Sequence, residues 1–160
     1  MNIPVQFIVA FLATMSFTIL FQAPMKYCVV GGVVGGLGWL FYTFIVGIGG
    51  DPAIAGFVAS LVLIVLARFF AIVFKTPSTM FLLAGIFPLV PGTGIYYTAY
   101  YLFAGDMAMA GQKGMDTLIT AGVIALGLLF GSAVPQKAFD VLGSKIVIKE
   151  KKLPKGKRKK

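Results

Sequence analysis

The segment Gly85-Ile86-Phe87-Pro88-Leu89-Val90-Pro91-Gly92-Thr93-Gly94-Ile95-Tyr96-Tyr97 holds the residues of this chain whose types and spacing point to ligand chemistry. Proline lacks an N–H and clashes with the preceding helical turn, so Pro88 and Pro91 break a helix that enters the segment. A second half-helix then opens near Gly92. Its first amides, from Gly92 through Thr93 and Gly94 to Ile95, stand at the positive end of a helix dipole, which favours a carboxylate. Tyr96 follows one turn later with a hydroxyl that needs a partner, and by helical spacing Tyr96 and Tyr100 share one face while Tyr97 and Tyr101 share the next. Upstream, Arg68 lies near the end of an apolar run, where a long cationic side chain either anchors at the headgroups or attracts an anionic substrate. The candidate substrate-binding residues are therefore Pro91, Gly92, Thr93, Gly94, Tyr96 and Arg68. From the residues alone, a packing kink and a binding site account for the break equally well.

Other chemistry lacks its residues. The chain has no histidine, its one cysteine is Cys28, and no carboxylate pair or activated serine stands out, so no enzyme, metal site or cofactor is expected.

The elements that must position these residues are membrane helices. With 59% hydrophobic and 12% charged residues, the chain is to be read against a bilayer. The uncharged run from Thr76 to Gly105 would rise about 45 Å as one straight helix, well beyond a hydrocarbon core of roughly 30 Å. The break at its centre is thus expected near mid-depth, where irregular backbone survives only inside protein or beside a watery cavity. The runs lack the two-residue alternation of barrel strands, which leaves an all-α polytopic bundle. Charges divide it into five helices, near 3–23, 27–49, 54–74, 79–104 with its break, and 116–135. The first 25 residues carry no charge, so they lack the basic region of a secretory signal, and the first helix reads as a retained span.

An N-terminus outside places Lys26, Arg68, Lys75 and the basic tail on the cytoplasmic side, as the positive-inside rule requires, with Asp51, Asp106, Lys113 and Asp116 outside. The three acids read as solvated loop charges. A re-entrant fourth segment would put Lys75 and the tail on opposite faces, which favours a crossing helix. Residues 1–136 form one transmembrane domain and 137–160 a basic cytoplasmic tail, disordered at its end, where Pro154 and Gly156 accompany dense lysine. Ten of the 14 basic residues belong to that tail, and no soluble fold is left to present them to nucleic acid.

In the second span, Gly31, Gly32, Gly35 and Gly36 form overlapping small-xxx-small registers, a packing face or partner interface with no phosphate-loop lysine. Ala55, Gly56, Ala59 and Ser60 offer a weaker face of this kind, as do Gly127 and Gly131. Five short helices bury a modest interior, and no internal repeat supplies a second half. Transporters that pair two halves around a site make a second subunit or a homo-oligomer a physical expectation.

Pro88-Leu89-Val90-Pro91-Gly92, followed by Tyr96, after Arg68 and Pro77 and before Asp106, resembles the threonine/serine exporter (ThrE) family, in particular its small YjjB-like membrane subunit. The resemblance implies a secondary exporter subunit in the cytoplasmic membrane that moves small carboxylate-bearing metabolites, threonine and serine or a dicarboxylate. It also implies a companion YjjP-like membrane subunit, since fused members carry two five-helix halves and this length corresponds to one. The competing reading is a non-transporting subunit that stabilises a membrane partner through its glycine-rich span and basic tail.

Overall fold

A computed structural model describes residues 2–135; the basic tail over 137–160 lies outside the described residues. Six α-helices follow one another: α1 (Ile3–Leu20), α2 (Cys28–Gly47), α3 (Pro52–Phe74), α4 (Thr79–Ile86), α5 (Gly92–Phe103) and α6 (Met107–Ala133), with 3-10 turns at Met25–Tyr27 and Phe87–Leu89. Four segments are long and apolar enough to cross a membrane, and a fifth is counted when α4 with its 3-10 turn and α5 are taken as one bent span. The protein is a multi-pass helical membrane protein.

Local chemistry sets the ends. Pro52 occupies the first position of α3, where its missing N–H costs nothing, and the Asp51 carboxylate accepts from the amides of Ala53 at 2.7 Å and Ile54 at 3.3 Å. α3 stops at Lys75, which adopts the left-handed conformation while the Thr76 amide reaches back to the Ala71 carbonyl at 2.9 Å. Gly105, at φ 80°, ends α5 in the same way, and Asp106 at once caps α6 by accepting from the Met109 amide at 3.0 Å.

That cap corrects the expected start of the last helix. α6 begins at Met107 rather than near 116, so Lys113 and Asp116 are helical residues and not loop charges. A search for uncharged runs cuts a helix at its first charge. Helix formation instead follows the cap and the helix-forming Met, Ala, Gln and Lys of 107–115.

α3 is the central element, packed on α2, α4 and α6, while α1 lies on α2 and α5 packs mainly on α6. Val34, Ala59, Leu63, Ala67 and Phe81 are fully buried where α2, α3 and α4 meet. The glycines of α2 let α1 approach closely. A Cβ at Gly31 or Gly35 would strike Thr18 or Thr14, and one at Gly32 or Gly36 would strike Phe11 or Phe7. Both threonines are buried, and each satisfies its hydroxyl by donating to the carbonyl four residues back, at 2.8 Å.

The two ends of the bundle differ in charge. Tyr27 and Phe74 meet edge to face at 5.6 Å, which brings Lys26 and Lys75 to one end. Asp51 and the α5–α6 turn mark the other.

Candidate functional site

The break is built as its prolines require. Val90 is extended, as a residue before proline tends to be, and the Gly92 amide donates to the Val90 carbonyl at 2.7 Å around Pro91 at φ −75°, ψ 59°, the geometry of an inverse γ-turn. α5 leaves bent 50° from α4 and its 3-10 turn. The Ile95 amide donates to the Pro91 carbonyl at 3.1 Å. Of the four amides expected to be open, Gly92 and Ile95 are thus engaged, and among the described residues Thr93 and Gly94 make no backbone bond.

Helix register fixes the height of the break. Gly56 lies against Ile124, Gly127 against Ser60 and Gly131 against Ile64, so α3 and α6 run parallel with residues about 67 apart side by side. Gly94 packs on Thr117, and Thr117 falls about 3 Å past the level of Pro52, the first residue of α3, at 1.5 Å per residue. On the other side of the break, Gly85 lies against Leu63. The chain therefore breaks at the level of the first turns of α3, toward the Asp51 end of the bundle. α5 and the first part of α6 rise together as a hairpin about 18 Å past the start of α3. From beside Lys75 to beyond Asp51, the bent pair traverses the height of the bundle, which a returning hairpin does not.

An open cavity of about 600 Å³ lies in the crook of the break. Its walls are Trp39 and Tyr42 of α2, Pro52 of α3, the segment from Pro88 to Gly94, Tyr97 of α5, and Lys113, Asp116, Thr117 and Thr120 of α6. Four of the six residues singled out from sequence, Pro91, Gly92, Thr93 and Gly94, line it together. Tyr96 does not; it points outward, 64% exposed, and its ring stacks on Tyr100. Its neighbour Tyr97 takes the place at the wall.

Arg68 stands at the opposite end. It is sixteen positions beyond Pro52 on α3, about 24 Å along the axis, and donates to the carbonyls of Gly131 at 3.2 Å, Ser132 at 2.9 Å and Val134 at 2.7 Å. A guanidinium on the last carbonyls of a helix satisfies orphan acceptors and opposes the negative end of the dipole. It also borders a second cavity of about 570 Å³ with Lys75, Thr76, Ser78 and Thr79.

The sequence reading missed Lys113, Asp116, Thr117 and Thr120 as one set. Their spacing, i, i+3, i+4, i+7, is a polar stripe on one face of a helix, the signal that would have found them had α6 been started at its cap. The hydroxyls of Thr117 and Thr120 donate to the carbonyls of Lys113 at 2.6 Å and Asp116 at 2.8 Å, which leaves their oxygen lone pairs for a guest. The side chains of Lys113 and Asp116 enter no ion pair among the described residues.

A bundle of membrane helices with a broken span and a mixed-charge cavity at the break is an architecture that membrane transporters use. The chain belongs to the threonine/serine exporter family, ThrE, which it matches over residues 6–134. It is accordingly a membrane transport subunit of the threonine/serine exporter type, in a family of transporters and not enzymes. No curated protein and no solved structure matches the chain.

Proposed function

We propose that the chain is one wall of a secondary exporter that moves small carboxylate-bearing metabolites, threonine and serine or a dicarboxylate, across the cytoplasmic membrane. The observation that carries this reading is a contrast within the bundle. The cavity at the break is open and carries both charges, whereas Leu63, Phe81 and Val34 are fully buried where α2, α3 and α4 meet. In this reading a solute that enters the cavity crosses along an outer face of this chain. A companion YjjP-like subunit, or a second copy, supplies the facing wall.

In this reading the Thr93 and Gly94 amides and Lys113 receive the substrate carboxylate, while Gly92 and Pro91 hold the turn that presents those amides. Tyr97 borders the guest. Arg68 and Lys75 lie at the cytoplasmic end, where cationic residues concentrate, and draw anions toward the second cavity. The break cavity then faces outward, as the site of release. Of the two docking elements in the stabilising-subunit alternative, the glycine face of α2 is already covered by α1 of the same chain at Gly31, Gly32, Gly35 and Gly36.

The test is efflux of labelled threonine, serine and succinate from cells expressing the chain with and without a five-span companion. Export of at least one solute that requires this chain is the expected result. Full export by the companion alone would overturn the reading.

A further inference from the structure

Lys113 and Asp116 place opposite charges on the same wall of one cavity, at the level where Thr93 and Gly94 offer amides. A site for a carboxylate alone needs only the donors. The amides and the Lys113 ammonium already supply them, and an acid beside these works against an anion. Asp116 therefore has no use in binding a simple carboxylate and a clear one in binding a solute that carries a cation next to its carboxylate. Both side chains belong to the stripe that faces the break, one turn apart, so they reach the two ends of a small guest rather than two different surfaces.

We infer that Asp116 is the specificity-determining residue of the break cavity: its carboxylate accepts the ammonium of a zwitterionic amino acid whose own carboxylate lies against Lys113 and the Thr93 and Gly94 amides. The same charge repels the second carboxylate of a dicarboxylate. This inference rests on the export reading above and goes beyond it by assigning the choice between the two substrate classes to one side chain. Asp116 is on the α6 hairpin and not in the packed core, so its charge can be changed without disturbing Leu63, Phe81 or the glycine contacts of α1.

Three probes separate the charges: serine, glycerate, which carries a hydroxyl where serine has its ammonium, and succinate, which adds a second carboxylate. Cells containing the unmodified chain and its companion are expected to export serine in preference to the other two. Asp116→Asn should lower serine export at least about tenfold, the loss of one charge-assisted contact, and raise the glycerate-to-serine and succinate-to-serine ratios. Asp116→Glu keeps the charge and should keep the order of preference. Lys113→Gln should lower all three solutes together. The ratios are normalised to chain in the membrane, so a loss of protein does not imitate a change of preference, and the Glu variant supplies a reading if the Asn variant does not accumulate. An Asn variant with the unmodified ratios, or a Glu variant that prefers glycerate to serine, would overturn the inference while leaving the export reading intact. Absence of export of every probe by the unmodified chain would remove the export reading, and this inference with it.

Discussion

Two glycine-rich segments of this chain do opposite things. On α2, Gly31, Gly32, Gly35 and Gly36 are buried, and an added Cβ at any of them meets α1 at once. At the break, a Cβ on Gly92 meets nothing within 4 Å and would project from the wall of a cavity. In the first segment the missing side chain admits a neighbouring helix; in the second it leaves space for a guest. Residue type alone does not separate these uses. What separates them is whether the flanking residues permit a continuous helix, as Val33, Val34 and Leu37 do and Pro88 and Pro91 do not.

The same leucine placed in both segments separates the two uses of glycine most sharply. Gly35→Leu is expected to prevent α1 from seating, with a destabilisation of about 3 kcal/mol or more, read as loss of folded protein in the detergent extract. Gly92→Leu should leave the melting temperature within a degree or two of the parent, since the side chain has room, yet lower export about tenfold or more. Equal stability losses in the two variants would erase the distinction between packing glycine and cavity glycine.

Next in size is Arg68→Met. It removes three hydrogen bonds to the end of α6 and should cost about 1.5–3 kcal/mol of stability, seen as a lower melting temperature before any change of substrate preference. A variant that melts normally but exports poorly would leave Arg68 its role of drawing anions and remove its role in holding the end of α6. The smallest effect separates two adjacent rings. Tyr97→Phe should weaken export by about two- to fivefold, the worth of one modest hydrogen bond, and Tyr96→Phe should not change it. The reverse order would return Tyr96 to the site.

Much of the fold was legible because each span announces itself through a long apolar run closed by a charge or a cap. The break was equally plain, since two prolines three residues apart admit no continuous helix. The start of α6 was hidden because Lys113 and Asp116 interrupt the apolar run, and a charge inside a helix looks like a loop until the Asp106 cap is recognised. With α6 started too late, the stripe formed by Lys113, Asp116, Thr117 and Thr120 disappears as a face, and the α6 side of the cavity wall goes with it. The height of the break and the choice of Tyr97 over Tyr96 depend on the register between α3, α5 and α6. That register is set by contacts such as Gly94 on Thr117, which pair residues far apart in sequence.

The export reading puts substrate in the crook of the broken span. Cys28, the native cysteine, is buried, so a cysteine introduced at Gly92 is read against a quiet background. In intact cells carrying Gly92→Cys with the companion subunit, a membrane-impermeant maleimide added outside should label the new thiol, and external serine should slow that labelling severalfold. Labelling at a rate indifferent to threonine, serine and succinate would place the substrate outside the break.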